Sequence, residues 1–306
     1  MKTTKIVMGM AAAAVMALSL TGCMMADDWI GNNVIKYNSK QDANTGAIAT
    51  AKVNFNNDSN EIIRSMLPFK NKKKGITSKI VMDVDSTGSF GPGNMGLVFN
   101  LKQNTDKTYN FCLIGFRCVN EKNYANAYVT YYTNVPEEAF SVSDFGYGKS
   151  EYPNITHTDI NGANWSNVKG SGCSEDNAFF DLPSITKTSD KKLPVIVEIE
   201  AQKTDDNAYV IYLYDGNDET RTFNMISNLK EEDKASTHAE ALYKINVPRA
   251  SIGNPTGLIE NEIGFYAMVQ RNETLSGEWQ VADIKNAPNV SKSAEGYANP
   301  LNITIE

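Results

Sequence analysis

The residues with most chemistry to offer are acidic pairs. Glu198 and Glu200 flank Ile199, and Asp83 and Asp85 flank Val84. Carboxylates two apart on a strand leave from one face, about 6.6 Å apart at the backbone. Retaining glycosidases hold their nucleophile and acid about 5–5.5 Å apart, so Glu198 with Glu200 is the candidate catalytic pair. Against it, Glu198, Glu200 and Gln202 alternate with Val197, Ile199 and Ala201, as on any strand with one wet face. That alternation makes the solvated reading the expectation, and no catalytic residue is assigned. A second acidic group, Asp205, Asp206 and Asn207 with Asp215, Asn217, Asp218 and Glu219, brackets the segment 208–214. Hard oxygen ligands on loops suit Ca²⁺, which makes Asp215, Asn217 and Asp218 the alternative metal ligands. An extended strand between the two groups spans about 25 Å, so ordinary hairpin turns are the simpler account and no cofactor is expected. His157 and His238 are the only histidines and no CxxC occurs; a zinc site is therefore not expected. Gly-x-Ser-x-Gly is absent too, which leaves a hydrolase triad without its elbow.

Aromatic residues offer a different chemistry. Tyrosine and tryptophan stack on sugar rings while their polar tips hydrogen-bond. Trp165, Tyr131, Tyr132, Tyr212 and Tyr214 are the candidate ligand-binding residues. Trp165 lies in an irregular segment, where it is either an exposed anchor or a plug beneath a loop. Tyr131 faces away from Tyr128 and Tyr132 on one strand, so at least one side of that strand is covered. Cys112 and Cys118 are six residues apart, about 20 Å on an extended strand, beyond the roughly 7 Å limit for a disulfide. They share a face with Ile114 and Phe116 and read as buried thiols unless Gly115 is a hairpin turn; Cys173, in a Ser-Gly-Cys-Ser loop, is near enough in composition to a mobile turn to pair with one of them.

The elements that must position these residues are strands. Period-2 alternation marks 47–55, 80–85, 97–101, 109–119, 126–134, 194–203, 208–214, 221–226, 242–247, 262–270, 278–285 and 301–306, bounded by Gly, Asn and Asp. Only 228–242 suggests a short, solvated helix. From 136 to 192 strand signals fade into Ser, Asn, Asp and Gly with scattered aromatics, which predicts one long irregular insertion packed on the body. Many strands with at most one or two short helices predict an all-β fold, an antiparallel β-sandwich.

Lys2 and Lys5 precede an apolar run at 6–20 and then Leu20-Thr21-Gly22-Cys23. A basic start, a short apolar core and a small-residue end form an export signal; the run falls short of the ~20 residues that span a bilayer. Leu20-Thr21-Gly22-Cys23 resembles the lipobox of bacterial lipoproteins. The resemblance implies a signal peptide at 1–22, a diacylglycerol thioether on Cys23, acylation of its amine, and a short tether at 23–28 before a single domain at 29–306. Met24 rather than aspartate follows the cysteine, which by the family's habit in enterobacteria favours the outer membrane. Ile80-Val81-Met82-Asp83-Val84-Asp85, Gly96-Leu97-Val98-Phe99-Asn100-Leu101, Glu262-Ile263-Gly264-Phe265-Tyr266-Ala267 and Trp279-Gln280-Val281-Ala282-Asp283-Ile284-Lys285 resemble the paired strands of concanavalin-A-like or laminin-G-like jelly rolls. That resemblance implies two sheets and a concave face used for glycans, proteins and sometimes glycoside cleavage.

The chain of 306 residues carries a net charge of −7, more negative once Lys2 and Lys5 leave with the signal. Such a balance excludes general nucleic-acid binding, which needs Lys and Arg against phosphates. It also gives no attraction to anionic lipid, so contact with the bilayer falls to the acyl chains. The expected role is non-catalytic binding of a glycan or of a host or envelope protein by a membrane-anchored lipoprotein. A jelly-roll glycoside hydrolase or polysaccharide lyase is the alternative, and a structural envelope protein the second alternative.

Overall fold

The period-2 patterns resolve into ladders. The computed structural model describes residues 35–38, 49–57, 63–70, 75–84, 93–118, 122–136, 154–168, 174–176, 179–202, 206–217, 237–253, 262–269 and 273–282. In chain order its strands are β1 Ile35–Asn38, β2 Ala49–Asn56, β3 Ile63–Lys70, β4 Gly75–Asp83, β5 Gly93–Gln103, β6 Tyr109–Cys118, β7 Tyr124–Val135, β8 Thr156–Asp159, β9 Trp165–Asn167, β10 Ser174–Asp176, β11 Phe179–Thr186, β12 Lys192–Ala201, β13 Asn207–Asp215, β14 Tyr243–Pro248, β15 Glu262–Val269 and β16 Thr274–Ala282. One sheet, sheet A, runs β1-β2-β16-β4-β12-β13-β14-β9, and sheet B runs β10-β11-β7-β6-β5-β15-β3, with β8 also on β7. The ladders are antiparallel, from β12 on β4 and β13 to β6 on β5 and β7. The fold is thus an all-β antiparallel sandwich, as the alternation predicts. Among the described residues, no helix is long and apolar enough to cross a membrane.

One face of each sheet supplies the core. Ile76, Ile80 and Met82 of β4, Val195, Val197 and Ile199 of β12, and Ile211 and Leu213 of β13 meet Leu97 and Phe99 of β5 and Ile114 and Phe116 of β6. Trp279 on β16 crosses between the layers and donates its indole N–H to the Gly96 carbonyl at 3.0 Å, so its one polar atom is satisfied inside the core. Cys112 and Cys118 are free and buried in the same cluster, and burial pushes both thiols up from their ordinary pKa. Gly115 is mid-strand, paired with Gly96 and Tyr128, and the Tyr128 ring covers it, since a Cβ there would lie 2.5 Å from ring carbons. The hairpin alternative for the two cysteines therefore falls. Cys173, and the lipobox with Cys23, lie outside the described residues.

One expectation needs correction. The segment 136–192 is not a single irregular wall: β11 is an integral strand of sheet B beside β7, and β9 forms an edge of sheet A against β14. Its strand signal is weak because Pro183 and a register shift between Leu182 and Thr186 interrupt the alternation, as Pro does where a ladder breaks. The helix expected at 228–242 lies outside the described residues up to 236; 237–238 are helical and 239–240 turn, with Ala241 N–H bonding His238 O at 3.2 Å and Leu242 N–H bonding Leu213 O at 2.9 Å. The strands expected at 221–226 and 301–306 also lie outside the described residues.

Candidate functional site

β12 and β13 carry the site. Register pairs Glu198 with Tyr212 on one side and with Thr77 of β4 on the other, and opposed residues in a ladder share a face. Since Val197 and Ile199 point into the core, Glu198, Glu200, Tyr212, Tyr214 and Thr77 all leave sheet A on its outer side. Over them lies the 237–242 turn. Ala241 closes a small apolar cluster with Ile196 and Tyr214, against which Tyr212 packs, and this pins His238 above the strands.

The result overturns the wet-face reading of β12. Glu198 is 1% exposed. Tyr214 donates its hydroxyl to Glu198 Oε2 at 3.0 Å, and His238 Nε2 lies 3.3 Å from Glu198 Oε1. The same nitrogen is 3.9 Å from Glu200 Oε1. One ligand atom from each of Glu198, Glu200 and His238 falls within 4.8 Å of the others. The Tyr212 ring stacks on the His238 imidazole with centroids 3.8 Å apart and planes 11° off parallel, which fixes the imidazole plane. Burial, then the Glu198 carboxylate, push the Tyr214 phenol far above its ordinary pKa, so Tyr214 is a permanent donor. A buried carboxylate is tolerated only when its oxygens are engaged, and both of Glu198's are.

The other candidates scatter. Trp165 is not an exposed anchor: it is 8% exposed, stacks on Phe180 at 4.1 Å and donates its indole N–H to Ile160 O at 3.0 Å. It is the loop plug. Tyr131 points inward against the core, and Tyr132 lies outward, packed near Phe111 and Ile155; neither joins the β12 cluster. Tyr214, 0% exposed, belongs to the floor of the site and offers no stacking face. Asp83 is held by Lys192 at 2.9 Å, and Asp85 lies outside the described residues. Asp215 accepts the Asn217 N–H at 2.9 Å while Asn217 donates to Thr186 O at 2.7 Å; these close a turn, and Asp218 lies outside the described residues.

No protein-family model matches the chain, and no curated protein matches it. Function must be argued from the geometry. Sequence reasoning missed two participants. His238 was counted only against zinc, because nothing local places it over β12; Thr77 carried no signal beyond its place in an alternating strand. The register that brings Thr77 beside Glu198 is a non-local property.

Chemically, the arrangement is a partly buried rim of Glu200, His238 and Tyr212 over a fully buried Glu198–Tyr214 floor. The rim offers a carboxylate acceptor, an imidazole and an aromatic surface. The floor is fixed and dry.

Proposed function

We propose that the chain is a bacterial envelope lipoprotein, held at the outer membrane by acyl chains on Cys23, whose sandwich binds a glycan without cleaving it. The concanavalin-A-like jelly-roll pattern is part of this reading. The observation that carries it is the rim of Glu200, His238 and Tyr212 on the outer face of sheet A. Small polar ligands are recognised by a few fixed polar groups beside aromatic surface, and sugar hydroxyls suit a carboxylate acceptor next to a tyrosine.

The glycosidase alternative draws on the closeness of Glu198 and Glu200, within 4.8 Å at the chosen oxygens against the about 5–5.5 Å of retaining enzymes. Against it stands Glu198 itself. Its oxygens already meet Tyr214 and His238 and its side chain is 2% exposed, whereas a nucleophile or acid must touch the sugar. Binding is therefore the better reading.

A glycan array probed with the full-length, detergent-solubilised protein tests it. Retention of at least one glycan, weakened tenfold or more by Glu200→Ala and by Tyr212→Ala, is the expected result. An array with no retained glycan overturns the reading. Release of reducing sugar from a retained glycan moves the assignment to the hydrolase.

A further inference from the structure

We propose that Glu198, Glu200 and His238 bind a divalent zinc ion. Three observations converge on it. First, one nitrogen faces one oxygen from each of two carboxylates, at 3.3 and 3.9 Å. Zinc bonds of about 2.0–2.2 Å set tetrahedral edges of about 3.4 Å, so the two nitrogen–oxygen edges need shifts of a few tenths of an ångström, and the edge between the two carboxylate oxygens, within 4.8 Å, closes by rotation of the carboxylates. A metal ion on the lone pair of His238 Nε2 engages both oxygens at once.

Second, two of the three ligands are held from behind. Tyr214 occupies Glu198 Oε2 and leaves Oε1 toward the cluster, and Tyr212 stacks on His238. Partners that orient ligands in this way are the usual surroundings of protein metal sites. Third, Thr77, directly across from Glu198 on the same face, is 0% exposed, and among the described residues its hydroxyl has no hydrogen-bond partner. A buried hydroxyl without a partner is costly and uncommon. A metal-bound water in the fourth position gives it one.

The donor set chooses among metals. Two carboxylates and an imidazole form a borderline oxygen–nitrogen site that suits zinc, whereas Ca²⁺ takes six to eight oxygens and no histidine is needed. Three protein ligands leave one position for water or an incoming ligand. The inference shares its residues with the glycan-binding reading and rests on that reading only for what displaces the water.

The test uses the full-length protein in detergent, stripped with a chelator, dialysed against Zn²⁺ or Ca²⁺ and assayed for bound metal and for melting temperature. Glu200→Gln, His238→Gln and the control Glu278→Gln run alongside. The expected result is one zinc per chain, no matching uptake of calcium, a melting temperature raised by zinc, and a loss of zinc affinity of tenfold or more in both site variants but not in the control. Glu200 is the more exposed carboxylate, so Glu200→Gln carries the test if His238→Gln does not fold. Substoichiometric zinc, or equal affinity in Glu200→Gln and wild type, overturns the inference. No glycan enters this measurement, so zinc uptake with a blank glycan array sinks only the binding reading, and glycan retention without zinc uptake sinks only the metal.

Discussion

At the scale of single residues, burial decides what each candidate does. Glu198 is the plainest case. Removing it leaves the Tyr214 hydroxyl and His238 facing a void beneath the 237–242 turn, and a buried donor left without its acceptor costs about 1–3 kcal/mol. Glu198→Ala is therefore expected to lose that much stability in urea denaturation, while Glu200→Ala, at the partly buried rim, costs less; equal losses in the two denaturation curves sink the floor-and-rim assignment. Trp165 separates stability from binding in the same way. Its ring is stacked on Phe180 and its N–H is satisfied internally, so Trp165→Ala is expected to cost about 3–5 kcal/mol as a large-to-small core change. Retained glycans should bind the folded fraction of that variant as they bind wild type. A selective loss of binding with unchanged stability argues for a surface anchor instead.

At the scale of elements, glycines set how closely the strands of sheet B approach. A Cβ on Gly96 lands 2.0 Å from the Ile114 carbonyl oxygen, and one on Gly115 lands 2.5 Å from the Tyr128 ring. The first obstacle is backbone in the middle of a ladder; the second is the outer end of a tyrosine side chain, whose displacement breaks no ladder bond. Gly96→Ala is thus expected to destabilise by about 1–3 kcal/mol or more and Gly115→Ala by less, measured side by side in urea; the reverse order rejects the packing account. The same elements explain what was legible beforehand. β5, β6, β7, β12 and β13 were plain because each is a run of apolar, β-branched and aromatic residues, with one alternating set in the core, as Leu97 and Phe99 or Val195, Val197 and Ile199 are, and much of the other set buried as well. β8 was not: all of its residues are exposed, so it has no apolar period to read. β11 was hidden by Pro183 and its register shift. The site was half legible. Glu198, Glu200, Tyr212 and Tyr214 were singled out by type and spacing, but their meeting with His238 depends on a turn folding over the sheet. Period-2 alternation reports which residues share a face; it does not report whether that face is wet. Glu198 and Gln202 look alike in the sequence, and only the covering turn distinguishes them.

At the scale of the whole molecule, charge links stability to acidity. Sheet B bears a polar network on its outer face: Lys122 reaches Asp181 at 2.7 Å, Asn126 donates to Asp181 Oδ1 at 2.9 Å, and Tyr124 donates to Oδ2 at 3.2 Å. The network ties β7 to β11 and so sutures the segment 179–186 onto the body of the sheet. Burial works against ionisation of Asp181, yet the bonds from Lys122, Asn126 and Tyr124 outweigh it and hold the carboxyl below its ordinary pKa. A carboxyl lowered in the folded state stabilises the protein above its unfolded pKa, and that contribution is lost as pH falls through the folded value. The unfolded value is about 3.9. At neutral pH, Asp181→Asn is therefore expected to lose about 2 kcal/mol, the worth of hydrogen bonds to a charged group. As pH falls below about 4, wild type loses that advantage while the amide, which does not titrate, keeps what it has. Chemical denaturation of both proteins at neutral pH and at pH values below about 4 checks the sign: their midpoints should converge as the pH drops. Midpoints that stay parallel across this range place the stabilisation in shape rather than charge, and the Lys122–Asp181 contact then holds β11 only by packing.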